Sequence, residues 1–268
     1  MTPASPQPMP PLVVLNGVSM SYGRGAAAVP AIEDVSLDIK RGEFIAVVGP
    51  SGCGKSSLMK LISGLHPTSA GQLTVDNQPV DKPLKSVGMA FQNSNLLPWR
   101  SCVDNVLLPL EIVPPYRQRI GRHRAEYKKK AEELLQSVGL TGFTEKFPWQ
   151  LSGGMQQRAS ICRALIHEPE ILMLDEPFGA LDAFTREELW CALRDIHAAR
   201  GVTVMLVTHD LREAVFLADT VYVMSNRPGR ILKKCEVTLP RPRALEVTYT
   251  PTFQNIVHEL RSLIGGQH

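Results

Sequence analysis

Eight consecutive residues, Gly49-Pro50-Ser51-Gly52-Cys53-Gly54-Lys55-Ser56, have the types and order needed to hold a chain of phosphates. Glycines let successive backbone N–H groups turn inward around an anion, and a helix that starts where the turn ends adds its positive pole. In such a loop the lysine reaches the β- and γ-phosphates and the next hydroxyl takes a Mg²⁺ position. Lys55 and Ser56 stand in those two places, followed by Ser57. Two carboxylates, Asp175 and Glu176, end the apolar run Ile171-Leu172-Met173-Leu174. Downstream of a phosphate loop, Asp175 would bind Mg²⁺ mostly through its water shell. Glu176 would polarise a water in line with the γ-phosphate, a role in which a general base contributes roughly 10²- to 10⁴-fold in rate. A third stretch, Leu151 to Arg158, offers Ser152 as a helix cap, and Gly153 and Gly154 leave the first helical N–H groups uncovered. It is a second anion site with no lysine of its own.

These groups need elements to position them. Phe44-Ile45-Ala46-Val47-Val48 is short, unbroken by charge and rich in β-branched residues, as expected of a strand buried on both faces. Ser57 to Ile62 follows with helical spacing, so the glycines mark a strand-to-helix junction. Leu12 to Leu15, Ala31 to Ile39, Gly71 to Val75 and Val87 to Phe91 have strand character, with a loop at Gly23 to Ala28 and Tyr22 closing the first strand. Tyr22 could stack on a base or be an ordinary strand residue. From Val103 to His167 the pattern is helical, the mark of an α-helical insertion into an α/β core. Strand Ile171 to Glu176, helix Phe184 to Ala199, strand Thr203 to Val207 with His209 just beyond, and helix Leu211 to Ala218 come next. A hairpin, Val221 to Met224 and Ile231 to Val237, turns at Asn226-Arg227-Pro228-Gly229, and an amphipathic helix from Phe253 to Ile264 closes the chain. Alternating strands and helices imply a largely parallel sheet with ligands at the carboxyl ends of its strands, where Asp175, Glu176 and His209 all fall.

Composition narrows the class. The 268 residues carry a formal charge of +3, too small to imply a nucleic-acid partner by itself. Five scattered cysteines without CxxC spacing argue against both a disulfide framework and a zinc site and for a reducing compartment. No apolar stretch approaches the roughly 20 residues of a membrane helix. Residues 1–11 are proline-rich, lack the pattern of a secretory signal, and are expected to be a disordered lead-in. The run Arg117 to Lys130 is basic; a solvated helix face explains it, and no interleaved aromatics support a nucleic-acid contact.

On these motifs the chain resembles the ATP-binding subunits of ABC transporters, over nearly its whole length from Leu12 to the C-terminal hairpin. Gly49 to Ser56 is similar to the family's Walker A, Ile171 to Glu176 to its Walker B and Leu151 to Arg158 to its signature segment. Gln92 falls at the Q-loop, Gly179-Ala180-Leu181-Asp182 at the D-loop, His209 at the switch histidine and Tyr22 at the adenine-stacking aromatic. Met155 departs from the glutamine common in the signature. The resemblance implies an α/β fold: a P-loop NTPase core of the ABC ATPase type with an antiparallel β subdomain and an α-helical subdomain. The ATP-binding domain is expected over residues 12–240, with the helical subdomain at about 93–167 and an extension with a helix at 241–268. It further implies ATP and Mg²⁺, with Ser56, Gln92 and Asp175 at the metal, Glu176, His209 and Gln92 at the reacting phosphate, and residues 49–57 with Tyr22 around the nucleotide. Two copies are expected to meet head to tail, each lending Ser152, Gly153, Gly154 and Asp182 to the other's ATP.

A single nucleotide-binding domain with no fused membrane segment, coiled-coil insertion or tandem copy points to an importer subunit. It would work at the cytoplasmic face of the inner membrane with permease subunits and, indirectly, a periplasmic solute-binding protein, without nucleic acid. Leu96-Leu97-Pro98-Trp99, beside Gln92, could dock the permease or pack within the insertion. Phe91 to Asn93, Leu97 to Arg100, Phe178 to Arg186 and Asn226 to Arg230 resemble the nitrate, sulfonate and taurine importer group. The competing class is a soluble ABC ATPase acting on nucleic acid or protein through Arg117 to Lys130.

Overall fold

Strands without charge need cover on both sides, and the tertiary structure supplies it from two different cores. The computed structural model describes residues 10–23, 25–179 and 181–265. In chain order the described elements are β1 (Val13–Tyr22), β2 (Val29–Ile39), β3 (Phe44–Val48), α1 (Lys55–Ile62), β4 (Ala70–Val75), β5 (Gln78–Pro79) and β6 (Val87–Ala90). Then come α2 (Cys102–Ile112), α3 (Tyr116–Ser137), α4 (Gly153–Leu165), β7 (Ile171–Asp175), α5 (Ala183–Arg200) and β8 (Thr203–Thr208). The chain ends with α6 (Leu211–Leu217), β9 (Thr220–Met224), β10 (Ile231–Glu236) and α7 (Pro251–Gly265). Residues 1–9 of the expected lead-in, Ala180 of the D-loop segment and residues 266–268 of the extension lie outside the described residues.

One sheet has the order β10-β9-β3-β8-β7-β6 and is parallel except for β10; the other, β2-β1-β4-β5, is antiparallel. Side chains alternate across a strand, so each central strand serves two cores. Phe44, Ala46 and Val48 of β3 join Leu172 and Leu174 of β7 and Val204 and Leu206 of β8 against the helices. Ile45 and Val47, Ile171 and Met173, and Met205 and Val207 face α1 and the antiparallel sheet. All five residues of β3 are fully buried, and each large one contributes roughly 1.5–3 kcal/mol by leaving water.

The parallel register aligns the chemistry. Val48 lies opposite Thr208, and Asp175 opposite Val207. Gly49, Glu176 and His209 are each the next residue or two beyond these positions, so groups more than 100 residues apart emerge along one edge.

Two expectations change in detail. The first strand, with strand character expected over Leu12 to Leu15 and Tyr22 at its end, runs unbroken through a bulge at Gly17 (φ +57), burying Val18 and Met20 on the way. The tip Leu96 to Trp99 is not one apolar surface. Leu96 is buried in the helical core, while Trp99 is 70% exposed. Fully buried Asn105 divides them: it accepts from Leu97 N at 2.7 Å and donates to the carbonyls of Leu97, Arg100 and Ser101 at 3.0–3.1 Å.

Between β6 and β7 the described residues form helices α2, α3 and α4 and no strand. The basic run lies on α3, and much of its charge is matched: Arg124 pairs with Asp104 at 2.9 Å, Lys128 with Glu145 at 2.8 Å and Lys130 with Glu168 at 2.6 Å. At the other end of the chain α7 buries Phe253 and Leu260. Before it, wholly buried Arg243 donates to the carbonyls of Val215, Phe216 and Ala218 at the end of α6 and to those of Val237 and Leu239. One guanidinium thus satisfies carbonyls that a helix end leaves unpaired.

Candidate functional site

The phosphate loop is held by close backbone packing. Gly54 caps α1 at φ +112, and a Cβ there would sit 2.7 Å from the Ala31 carbonyl oxygen. Lys55 is 5% exposed and its ammonium donates to the carbonyls of Gly49 at 2.9 Å and Pro50 at 2.8 Å. Ser56 Oγ donates to Asp175 Oδ1 at 2.9 Å, which joins the loop to the end of β7. Burial raises the Asp175 carboxyl above its usual range, and the Ser56 hydrogen bond works against that. The Ser57 hydroxyl lies 3.0 Å from the Tyr22 hydroxyl. A cavity of about 340 Å³ opens over the start of α1, walled by Tyr22, Ala31, Gly52, Lys55, Glu176 and Arg227 among others. A cavity of about 460 Å³ at the amino ends of β7 and β8, near Arg41, Glu170 and Thr203, contains none of the motif residues.

The strand ends supply the groups across from the loop. Glu176 adopts φ +47, a left-handed conformation that costs a non-glycine residue roughly 1–3 kcal/mol. Its N–H donates to Val207 O at 2.8 Å, and its own carbonyl accepts from Gly179 N at 3.3 Å, which holds the turn. Glu176 Oε2 lies 3.2 Å from His209 Nδ1. Beneath the histidine, Thr208 Oγ1 donates to buried Glu213, and Asp210 N donates to Thr208 Oγ1 at 3.0 Å. Burial pushes the Glu213 carboxyl up to about 8. Arg186 reaches the same cluster from α5 while donating to Leu181 O at 2.9 Å.

Gln92 is exposed, but the chain on both sides of it is fastened to α4. Gln157 Nε2 donates to Phe91 O at 3.0 Å, and Arg163 donates to Ser94 O at 2.6 Å and Asn95 O at 2.8 Å. Ser94 Oγ donates to Gln156 Oε1 at 3.1 Å. Gln92 Nε2 is 4.0 Å from where a side chain on Gly179 would begin, so the Q-loop and the turn after Glu176 are neighbours.

The signature segment is built differently. Ser152 caps α4, accepting from Met155 N at 3.3 Å, and Ser152 and Gly153 are exposed. Gly154 is buried, and a Cβ there would meet the Thr185 methyl at 2.9 Å. Met155 packs on the helical core, which accounts for an apolar residue at that place. Asp182 caps α5, accepting from Thr185 N at 3.1 Å; hydrogen bonds from Thr185 hold its carboxyl below the usual range. None of Ser152, Gly153, Gly154 and Asp182 lines the cavity over α1.

Of the predicted residues, the structure therefore gathers Tyr22, the loop 49–57, Asp175, Glu176 and His209, places Gln92 beside them and leaves the signature and Asp182 apart. Arg227, Arg186, Glu213, Gln157 and Arg163 escaped the sequence reading. A carboxylate among apolar neighbours in Glu213-Ala214-Val215-Phe216 was the one available signal for Glu213.

The profile of the "ABC transporter" family matches residues 32–179. The taurine import ATP-binding protein TauB of Yersinia pestis is 47% identical over 76% of this chain and 78% of that protein. The aliphatic sulfonates import ATP-binding protein SsuB of Bacillus licheniformis is 41% identical over 88% of both. Among solved structures, a dimeric ATP-binding cassette in a post-hydrolysis state bound to ADP and Pi aligns with TM-score 0.72 at 32% identity, over 85% of this chain and all of that one. CbiO1 of Clostridium perfringens aligns with TM-score 0.74 at 24% identity, over 94% of this chain and 99% of that one, and so supports the fold alone. With the phosphate loop, the strand-end carboxylates and the capped signature helix in these positions, the chain belongs to the ABC transporter family.

Proposed function

We propose that this chain binds ATP over α1, hydrolyses it as half of a head-to-tail homodimer and so powers a membrane importer for a small anion of the sulfonate and taurine type. One observation carries the reading: the pairs Ser56–Asp175 and Glu176–His209 converge on the mouth of one phosphate loop while the signature helix of the same chain stays outside that cavity. The loop N–H groups, the pole of α1 and Lys55 bind the triphosphate. Tyr22 lies against the base. Ser56 and Asp175 present hard oxygen donors that fit Mg²⁺, with Gln92 as a further ligand; when bound, the ion neutralises charge on the β- and γ-oxygens. Glu176 accepts a proton from the attacking water, and His209 orients that water and the γ-phosphate. A partner's Ser152 to Gly154 adds N–H donors where charge develops and excludes bulk water, and Asp182 lies along the seam.

Coupling to transport follows the Q-loop. Phe91 and Ile112 are exposed beside an apolar groove of about 450 Å³ that also includes Met89 and Leu108, and Trp99 stands nearby in sequence. This side of the helical subdomain, residues 93–167, is the place for a permease at the cytoplasmic face of the membrane. The names of the sulfonate and taurine relatives support the solute class.

The dimer is tested by mixing. Ser152→Arg chains alone and Glu176→Gln chains alone should each lose hydrolysis. Their mixture should regain it, because an intact Glu176 then faces an intact signature. A mixture that stays inactive, or a fully active Ser152→Arg protein, would remove the trans arrangement.

A further inference from the structure

The nucleotide cavity has a wall that the motifs do not supply. The β9–β10 turn, Asn226 to Gly229, does more than reverse the chain. Gly229 pairs with the edge strand of the antiparallel sheet: its N–H donates to Ala31 O at 2.9 Å, and its carbonyl accepts from Glu33 N at 3.1 Å. On its other side the turn presses on the phosphate loop, since a Cβ on Gly229 would sit 2.2 Å from the Cys53 carbonyl oxygen. The turn is thereby clamped between β2 and the loop, and Arg227 at its tip lines the cavity over α1.

Two features place Arg227 at the nucleoside end of that cavity. Its Nε donates to Pro30 O at 3.1 Å. Pro30 is paired with Ser21, and the next pair along is Tyr22 with Val29. The guanidinium is therefore anchored on the strand beside the tyrosine, whereas Lys55, Asp175 and Glu176 mark the γ-phosphate end. An arginine with one donor committed to a carbonyl retains four N–H donors and a planar cationic face, suited to a purine ring or a ribose hydroxyl. The turn's second arginine is spent elsewhere: Arg230 Nη2 pairs with Glu33 Oε1 at 3.0 Å.

We propose that Arg227 is a nucleotide-binding residue that holds the base and ribose of ATP beside Tyr22, at the end of the cavity away from the γ-phosphate. This rests on the nucleotide site proposed above. The clamp that holds the turn is made by backbone groups and Gly229, so truncating the Arg227 side chain leaves the turn in place.

The test is equilibrium binding of ATP, ADP and inorganic tripolyphosphate to the full chain carrying Arg227→Ala, Arg227→Lys or, as control, Arg230→Ala. Arg227→Ala should bind ATP and ADP about 3- to 30-fold more weakly, the range for a desolvated cation on an aromatic face, with tripolyphosphate unchanged. Arg227→Lys should recover part of the loss, and Arg230→Ala should match the unaltered chain. In steady state the loss should appear in KM with kcat preserved, the pattern for binding shared by ground and transition states. Unchanged ATP affinity in Arg227→Ala, or an equal loss for tripolyphosphate, overturns the proposal. If the unaltered chain itself binds no ATP, the nucleotide site fails instead.

Discussion

Two helices of this chain begin at glycines, and they are equipped for different work. α1 starts at a loop whose backbone is packed against Ala31, with Lys55, Ser56 and Glu176 around one cavity and Asp175 hydrogen-bonded to Ser56. α4 starts at Ser152, which caps it, and the exposed residues Ser152 and Gly153 have no cationic side chain in the first turn. A helix pole is worth about half an elementary charge, too little to hold a triphosphate unaided. On the proposed function, the first helix start serves the phosphates within its own chain, and the second complements the site of a partner. Under that proposal, two helix starts need only one lysine between them.

Variants can break or sharpen this contrast. The largest effect is expected for Glu176→Gln, which removes the proposed base and leaves the α1 cradle: turnover should fall roughly 10²- to 10⁴-fold while ATP binding persists, as equilibrium binding beside phosphate release will show. Lys55→Ala should weaken ATP binding about 10- to 100-fold, the worth of a buried charge-assisted hydrogen bond. A Ser152→Ala chain tested in the same titration should change far less, and equal losses would erase the distinction between the two helix starts. Gly229→Ala should destabilise the fold by about 1–3 kcal/mol, because the Cβ meets the Cys53 carbonyl, whereas Gly153→Ala meets nothing within 4 Å; thermal melts compare them.

The smallest effect concerns pH. The Glu213 carboxyl, whose ordinary value is 4.5, is raised to about 8 by burial, with Thr208, Asp210, Arg186 and Glu176 around it. Between those values the folded chain holds a proton that the unfolded chain has released. This contribution to stability is therefore present at low pH and shrinks as pH rises towards 8. Glu213→Gln should flatten that slope in melts run from pH 5 to 8, and an unchanged slope would show that Glu213 is ionised in the fold.

Much of the site could be recognised from the chain alone because its parts are local. Gly49 to Ser56 is a strand-to-helix junction of contiguous residues, and the apolar run ahead of Asp175 marks a buried strand whatever lies beside it. Ser152 caps α4 as its sequence context implies. The apolar run Leu12 to Leu15 marks only the start of the first strand, and in three dimensions pairing with β2 and β4 carries the strand through a bulge at Asn16-Gly17. Leu96 and Trp99 looked alike as apolar residues, and only buried Asn105 sends one inward and the other out. Arg227 reads locally as part of a turn, since nothing local tells where a turn will dock.

Local chemistry therefore settled which segments make strands, helices and phosphate loop, because N–H geometry, glycine freedom and apolar periodicity act within a few residues. Which groups meet was decided by the parallel register that sets Asp175 against Val207 and Val48 against Thr208, and by the packing of two sheets that brings Gly229 onto Cys53. Those contacts join residues from 32 to 176 positions apart, and they depend on how the faces of the strands are buried, which is a property of the assembled core.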